Sequence, residues 1–126
     1  MTSSCRGKAA ELRFLQLALE AGWELALPVS EGSVWDALLN RGSYYMEVWE
    51  RVQVKRVWQK DGHPVVNMVR GGGEKYKHSD ADWLAAVEVE SGRTWLIPWS
   101  EVSGVTRKRI TEDLDQFLLF GSARSE

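Results

Sequence analysis

Three polar side chains interrupt segments of this sequence that are otherwise apolar. Asp36 lies inside the apolar run 34–39, and Gln53 and Lys55 alternate with valines across residues 52–55. Residues two apart on a strand point to the same face, so Gln53 and Lys55 share one side of any strand formed there. Burying a carboxylate without a partner costs several kcal/mol. The fold must therefore bring partners to these groups, and a cation is one partner that recovers the cost.

A fourth polar residue lies on a predicted helix. The spacing of apolar residues over 7–21 predicts an amphipathic helix that ends at Gly22. Glu11 falls near the middle of its apolar side, which is an unusual place for a carboxylate. One interpretation is an ion pair with Lys8 or Arg13; the other is a functional acid.

The rest of the chain predicts a mixed sheet with helices. Short apolar segments separated by turn residues favour strands, and the order α-β-β-β-(β)-β-β-α is typical of an α/β or α+β domain. Thr111, followed by two acids, predicts a C-terminal helix over about 111–120. The predicted strands are residues 23–28, 34–39, 44–49, 52–58, 65–69, 83–89 and 94–97, the last two as a hairpin.

Composition excludes several classes of protein. The chain of 126 residues fits one domain, and its net charge of −2 argues against a nonspecific polycationic binder. A single cysteine, Cys5, and two separated histidines argue against a zinc site, which needs several such ligands together. No segment is long and apolar enough for a membrane span, and the N-terminus lacks the apolar region of a signal peptide. We expect a cytoplasmic protein with no membrane partner.

The polar set suggests metal chemistry. Carboxylate and amide oxygens converging at the end of a strand can hold Mg²⁺ beside a substrate phosphate. The cation activates a water and polarises the phosphoryl oxygen, while a lysine such as Lys55 stabilises the developing charge. Two plainer interpretations stay open at this point. Gln53 and Lys55 can be the solvent face of a half-exposed strand, and Asp36 can bond the backbone of a turn at residues 30–33.

Basic residues form clusters that suit phosphate contacts, although such runs are often only a solvated face. Trp49 and Trp99 are candidates for an exposed ring that stacks on a base. Asp80 and Asp82 are expected to cap the entry of the following strand or to pair with nearby lysines. The candidate DNA-contacting residues are Arg56, Lys60, Lys75, Arg107, Lys108 and Arg109.

Four stretches together carry a family resemblance. They are residues 7–12, 32–38, 52–55 and 80–98, and their order and spacing extend over about 7–104. In these stretches the chain resembles the PD-(D/E)XK nuclease superfamily, specifically its group-I-intron-associated (homing-type) endonuclease branch. It is also similar to the archaeal Holliday-junction resolvases.

The resemblance implies a restriction-endonuclease-like α/β core, with a central mixed β-sheet flanked by helices, in a single domain over 1–126. It implies Mg²⁺-dependent cleavage of DNA phosphodiester bonds, with Mn²⁺ as the alternative cofactor, by a homodimer or homotetramer. Asp36 matches the metal-binding aspartate, Lys55 the catalytic lysine and Glu11 a helix-borne acid of this branch. Gln53 stands where most of the superfamily has a carboxylate, so the metal set would be Glu11, Asp36 and Gln53.

Two other functions stay open from the sequence. A resolvase acting on branched DNA would use the same residues on a different substrate. A catalytically silent module of the same fold would bind nucleic acid without cutting it.

Overall fold

The structure, a computed structural model, describes residues 3–30, 32–42, 47–70 and 73–121. Within these residues the chain forms one α-helix, nine β-strands and two short 3₁₀ helices, and none of the helices is long and apolar enough to cross a membrane. The elements are α1 (Ser3–Glu20), β1 (Glu24–Ala26), β2 (Ala37–Asn40), β3 (Glu50–Arg56), β4 (Trp58–Lys60), β5 (His63–Asn67), β6 (Trp83–Val87), β7 (Thr94–Pro98), a 3₁₀ helix (Trp99–Glu101), β8 (Arg107–Arg109), a second 3₁₀ helix (Glu112–Phe117) and β9 (Leu118–Phe120).

Helix α1 forms as predicted, although it begins four residues earlier than the apolar pattern indicated. Ala10, Phe14 and Ala18 are fully buried, so the stripe at helical spacing faces the sheet. The helix ends with the paired hydrogen bonds of a Schellman turn, from Gly22 N to Leu19 O and from Trp23 N to Ala18 O. Gly22 has a φ of 84°, which explains why glycine ends this helix.

The central sheet is mixed, which confirms the α/β class. Its six strands run in the order β1-β2-β3-β6-β7-β9, and β3 and β6 are parallel while the other neighbours are antiparallel. A second sheet has the order β4-β5-β8. The predicted hairpin of β6 and β7 is confirmed, with Ala85 opposite Leu96.

The two faces of the central sheet bury separate clusters of side chains. Val52 and Val54 of β3 pack with α1 in one cluster. Val66 of β5 and Ile97 of β7 belong to the other, between the two sheets. Because side chains alternate along β3, Gln53 and Lys55 point away from α1.

Several predicted boundaries were wrong. The single strand expected over 52–58 is two strands in different sheets, separated at Val57. Asp36 was placed inside a strand, but β2 begins one residue later. Of the strand expected over 44–49, residues 44–46 lie outside the described part of the chain and residues 47–49 are not in a strand; the partner of β2 is β3.

The C-terminal helix expected over about 111–120 was also wrong. The chain there forms a 3₁₀ helix and then β9, which pairs with Thr94 and Trp95 of β7. Its consecutive apolar residues divide between the two clusters: Phe117 and Leu118 pack on one, and Leu119 and Phe120 on the other. An extended chain can serve two opposite faces in this way, and it also satisfies the edge of β7.

Candidate active site

Asp36 lies where β2 begins, beside the middle of β3. Its backbone N–H donates to Val52 O at 2.8 Å, and its carboxylate Oδ2 accepts the N–H of Val54 at 2.7 Å. The Asp36 carboxylate thus accepts the N–H of β3 that a backbone carbonyl would accept if β2 were longer. The interpretation of Asp36 as a partner for the turn at 30–33 is wrong, because its hydrogen bond is to β3.

Glu11 faces Asp36 across an open cleft. Both carboxyl groups line a pocket of about 360 Å³ between α1 and the loop that precedes β2. The expected ion pair is present, since Lys8 Nζ lies 3.3 Å from Glu11 Oε2. The Lys8 side chain is 64% exposed, so this pair is screened by water and leaves Glu11 accessible.

The electrostatics of the cleft act mainly on Asp36. Burial raises the pKa of its carboxyl to about 6, against an ordinary value of 3.8. The negative charge of Glu11 adds to this rise, whereas the Val54 N–H and the charges of Lys55 and Lys8 oppose it. The pKa rises although these three groups oppose the rise. The groups around Asp36 therefore do not fully balance the negative charge of its ionised carboxylate.

Gln53 is buried, at 8% exposure, so its interpretation as part of a polar solvent face is wrong. Ala37 pairs with Val52 across β2 and β3, which places Gln53 next to Asp36 along the same ladder. Among the described residues no side chain or backbone group is hydrogen-bonded to its amide. The amide is not among the fully buried polar atoms of the described residues that lack a partner, so water or a ligand can reach it.

Lys55 lies on the same face of β3 and is half-buried. Its ammonium Nζ donates to Val69 O at 3.3 Å and lies 5.1 Å from the centre of the Tyr76 ring. Its charge also lowers the pKa of Asp36, which shows that the two groups interact. Neither Val69 nor Tyr76 was predicted as a site residue, because neither is part of a spaced pattern.

The donors around Asp36 fit a hard divalent cation. The Asp36 and Glu11 carboxylates line one cleft and are oxygen donors of the kind that Mg²⁺ accepts, with water and phosphate completing its shell. Gln53 and Lys55 are not among the described residues that line this cleft, because they lie on the face of β3 that points away from α1. The described residues contain no group of three His, Cys, Asp or Glu side chains placed to hold a metal ion. A cation held by these two carboxylates would take the rest of its oxygen ligands from water and substrate.

The other acids have structural roles. Asp80 Oδ2 accepts the N–H of Lys77 at 2.7 Å, and Asp82, directly before β6, binds both the backbone and the guanidinium of Arg51. Asp80 therefore contacts Lys77 as expected, but through the backbone of the turn at 77–80, and the partner of Asp82 is Arg51 of β3 and not a lysine. Of the two candidates for an exposed ring, Trp99 is 3% exposed and Trp49 is 38% exposed.

The candidate DNA-contacting residues fall into two groups. Arg56 is ion-paired with Glu90 at 2.5 Å. Arg107 and Arg109 are exposed on the outer face of the second sheet, where they contact Asn67, the ring of Trp58 and His63. Lys60 and Lys75 are exposed, and Lys108, between the two arginines, is half-buried.

No protein-family model and no curated protein sequence matches the chain. A solved structure described as that of a bacterial homing endonuclease, I-Ssp6803I, superposes with a TM-score of 0.73 at 21% sequence identity. The superposition covers 88% of this chain and 79% of that chain. At this identity the likeness concerns the fold, and the chain shares its fold with a bacterial homing endonuclease.

Proposed function

We propose that this protein is a Mg²⁺-dependent DNA endonuclease of the homing type, with Mn²⁺ as the alternative cofactor. The observation that carries the proposal is the Asp36 carboxylate, which is desolvated, faces Glu11 across an open cleft and interacts with Lys55. The solved structure that shares this fold is that of a homing endonuclease, which favours DNA cleavage as the reaction. Membership of the PD-(D/E)XK superfamily stays a prediction from the motifs.

The proposed roles follow from the chemistry of each group. Asp36 and Glu11 hold the cation through their carboxylates, and Gln53 adds a neutral oxygen. Bound Mg²⁺ supplies Lewis-acid polarisation of the phosphoryl oxygen and a lower pKa for the attacking water. Lys55 places a positive charge where negative charge develops on the scissile phosphate. With an amide in place of a third carboxylate, the donors carry two negative charges and bind Mg²⁺ more weakly than three carboxylates would.

The proposed DNA surface is the outer face of the second sheet, which carries Lys60, Arg107 and Arg109; Lys108 alternates to the inner face of β8 and Lys75 lies outside this sheet. The ion pairs of the described residues engage Lys8, Arg41, Arg51, Arg56 and Arg93. They do not include Lys60, Lys75, Arg107, Lys108 or Arg109. Cations that have no internal carboxylate partner remain available to phosphates, and releasing their counterions favours DNA binding.

Nicking of supercoiled plasmid in Mg²⁺ tests the active-site assignment. Asp36→Asn and Lys55→Ala are expected to lose activity by about 100-fold or more, while their circular dichroism stays that of the wild type. Asp82→Asn is the matched control, because Asp82 also accepts a 2.7 Å bond from β3 but pairs with Arg51 away from the cleft. Cutting at wild-type rates by Asp36→Asn or Lys55→Ala would show that the centre is elsewhere.

The choice of substrate separates the three functions that the sequence left open. A homing-type enzyme should cut linear duplex DNA, whereas a resolvase should cut a four-way junction and spare the duplex. A silent module should bind either DNA without cutting it, and Asp36→Ala should leave its affinity unchanged. Mg²⁺ and Ca²⁺ titrations complete the comparison, since Ca²⁺ commonly supports binding without supporting the reaction.

We also propose that the protein acts as a homodimer or homotetramer, since cutting both strands of a duplex is simplest with two centres. Leu12, Leu27 and Val29 are exposed apolar side chains on α1 and beside the cleft, and an interface would cover them. Sedimentation equilibrium tests this, and a monomer at micromolar concentration in the presence of DNA would contradict it.

A further inference from the structure

The surroundings of the Lys55 ammonium are unusual for a surface-accessible lysine. Its contacts are the carbonyl oxygen of Val69, at 3.3 Å, and the ring of Tyr76, whose centre is 5.1 Å away. The ion pairs of the described residues do not include Lys55. Both contacts attract a cation without supplying a negative charge, so the ammonium is held in place and its charge is not cancelled by a counter-ion.

Tyr76 is itself fixed by buried neighbours. Its ring is 7% exposed and meets the ring of Trp99 edge-on, with centres 5.4 Å apart and an interplanar angle of 80°. Trp99 Nε1 in turn donates to Lys77 O at 2.9 Å, so the chain directly after Tyr76 is tied to the same indole. The N–H of Lys77 donates to Asp80 at 2.7 Å. The ring therefore has little freedom to move away from Lys55.

Both contacts of Lys55 come from one short segment. Val69 and Lys75 pair in an antiparallel bridge, and Arg70 N donates to Glu74 O at 2.7 Å inside it. Val69 and Tyr76 thus lie on the two sides of one turn, and together they form a seat for the ammonium. A lysine side chain has four rotatable bonds and high rotamer entropy, so it is placed accurately only where such a seat exists.

We propose that Tyr76 is a positioning residue for Lys55, its ring and the Val69 carbonyl holding the ammonium beside Asp36 and the scissile phosphate. This inference rests on the proposed nuclease function of the same centre. Tyr76 takes no part in the chemistry; it sets where the positive charge of Lys55 lies. Loss of the ring should therefore lower kcat and leave the KM for DNA unchanged, because Lys55 acts in the reaction and not in DNA binding.

Three variants separate positioning from general stability. Tyr76→Phe keeps the ring and should retain kcat within about threefold of the wild type, since both rings attract cations. Tyr76→Leu removes the ring and should lose at least about tenfold in kcat, as a shift of about 1 Å in a catalytic group can cost 100-fold. Val102→Ala is the control: it opens the same buried cluster without contacting Lys55, and its kcat should stay near the wild-type value below its melting temperature.

A second measurement reports the contact without relying on activity. In protein carrying ¹³C-labelled lysine, the Lys55 CεH₂ signal should be shifted by the ring current of Tyr76, and the signal is assigned by its absence from Lys55→Ala. Tyr76→Phe should keep the shift and Tyr76→Leu should lose it, while Val102→Ala keeps it.

The outcomes distinguish the two proposals. Full kcat in Tyr76→Leu, or a Lys55 signal that does not move in that variant, overturns the positioning role. Wild-type nicking by Lys55→Ala also overturns the positioning role, because the centre would then not use Lys55. The absence of Mg²⁺-dependent nicking by the wild type overturns the proposed function itself, whatever the signal does. A ring-dependent signal, together with a loss of kcat in Tyr76→Leu that Tyr76→Phe does not share, supports both.

Discussion

Asp36 and Asp82 make the same hydrogen bond to the same strand, yet their electrostatics are opposite. Each carboxylate accepts a backbone N–H of β3 at 2.7 Å, from Val54 in one case and Arg51 in the other. Around Asp82, partial burial raises the pKa, but the hydrogen bonds and charge of Arg51 outweigh it and the pKa is lowered. Around Asp36, burial dominates, Glu11 adds repulsion, and the pKa rises to about 6.

The comparison shows which of the two carboxylates has its negative charge balanced by neighbouring groups. Asp82 has a guanidinium with two contacts to its oxygens, so its charge joins β3 to the entry of β6. Among the described residues Asp36 accepts one N–H and faces another carboxylate, and the charges of Lys55 and Lys8 do not offset its burial, so its ionisation destabilises the fold. Groups with perturbed pKa values that face an open cleft are candidates for function. The contrast therefore assigns a structural role to Asp82 and a ligand-binding role to Asp36.

The largest expected effect is that Asp36→Asn and Asp82→Asn change the free energy of unfolding in opposite directions. Asp36→Asn should stabilise the metal-free protein by about 1–3 kcal/mol at pH 8, since it removes the under-compensated charge and keeps an oxygen for Val54 N. Asp82→Asn should destabilise it by about 1 kcal/mol or less, because that ion pair is largely exposed. Urea unfolding of both variants and the wild type gives the two free energies. Destabilisation by Asp36→Asn would break the contrast.

The same experiment repeated across pH should follow the pKa of Asp36. Its folded value of about 6 lies above the ordinary 3.8, so ionisation disfavours the folded state. The loss of unfolding free energy caused by ionised Asp36 should be absent below about pH 3.8. It should grow as pH rises towards 6 and be constant above that value. The stability advantage of Asp36→Asn should therefore shrink to nothing in acid. A difference that is independent of pH would mean that the charge is not its cause.

Gln53→Glu should add a negative charge near Asp36 that is unbalanced in the metal-free protein and that favours Mg²⁺ binding. A third carboxylate is expected to tighten Mg²⁺ binding by about tenfold or more and to lower the stability of the metal-free protein. Isothermal titration with Mg²⁺ measures the first effect and urea unfolding the second. Gln59→Glu is the matched control, because it adds the same charge at an exposed site on β4. Unchanged or weaker Mg²⁺ binding in Gln53→Glu would exclude direct ligation by this position.

Mg²⁺ binding by the wild type should depend on pH in the direction that the Asp36 pKa sets. Only the ionised carboxylate binds the cation, so affinity should rise by about tenfold between pH 5 and 7 and level off above. Asp82, whose pKa is lowered, is ionised throughout this range and contributes no change. The Mg²⁺-induced increase in Tm at several pH values reports the effect. Equal increases at pH 5 and 7.5, or a pH-dependent increase in Asp36→Asn, would contradict it.

The acids and the Gln-x-Lys strand could be chosen as candidates from the sequence, because polar residues inside apolar segments are visible in a linear pattern. In the structure β2 and β3 are adjacent, and this pairing brings Asp36 beside β3. The partners themselves were not predictable. Val54 N is one of many backbone donors, and Tyr76 reaches Lys55 only because the chain returns after Val69.

Tertiary contacts explain the remaining errors. The helix expected over 111–120 had good local signals, but pairing with β7 and burial on two faces outweighed them. Trp99 was a candidate for base stacking because nothing local distinguishes an exposed indole from a buried one. In the structure it packs on Tyr76 and donates to a backbone carbonyl, which makes it part of the scaffold.

The contrast between compensated and uncompensated charges extends to the cations, where the expected effects are smallest. Arg56 is ion-paired with Glu90, whereas Lys60 is exposed on the second sheet and outside the ion pairs of the described residues. If the outer face of this sheet contacts phosphates, Lys60→Ala should weaken DNA binding a few-fold and reduce the salt slope of the affinity by about 0.9. Arg56→Ala should change the slope less, because Glu90 already occupies the guanidinium.

Fluorescence anisotropy with a labelled duplex at several salt concentrations gives both slopes. A larger loss in Arg56→Ala than in Lys60→Ala would place the DNA on the side of the β6–β7 turn, next to Glu90, and away from the outer face of the second sheet.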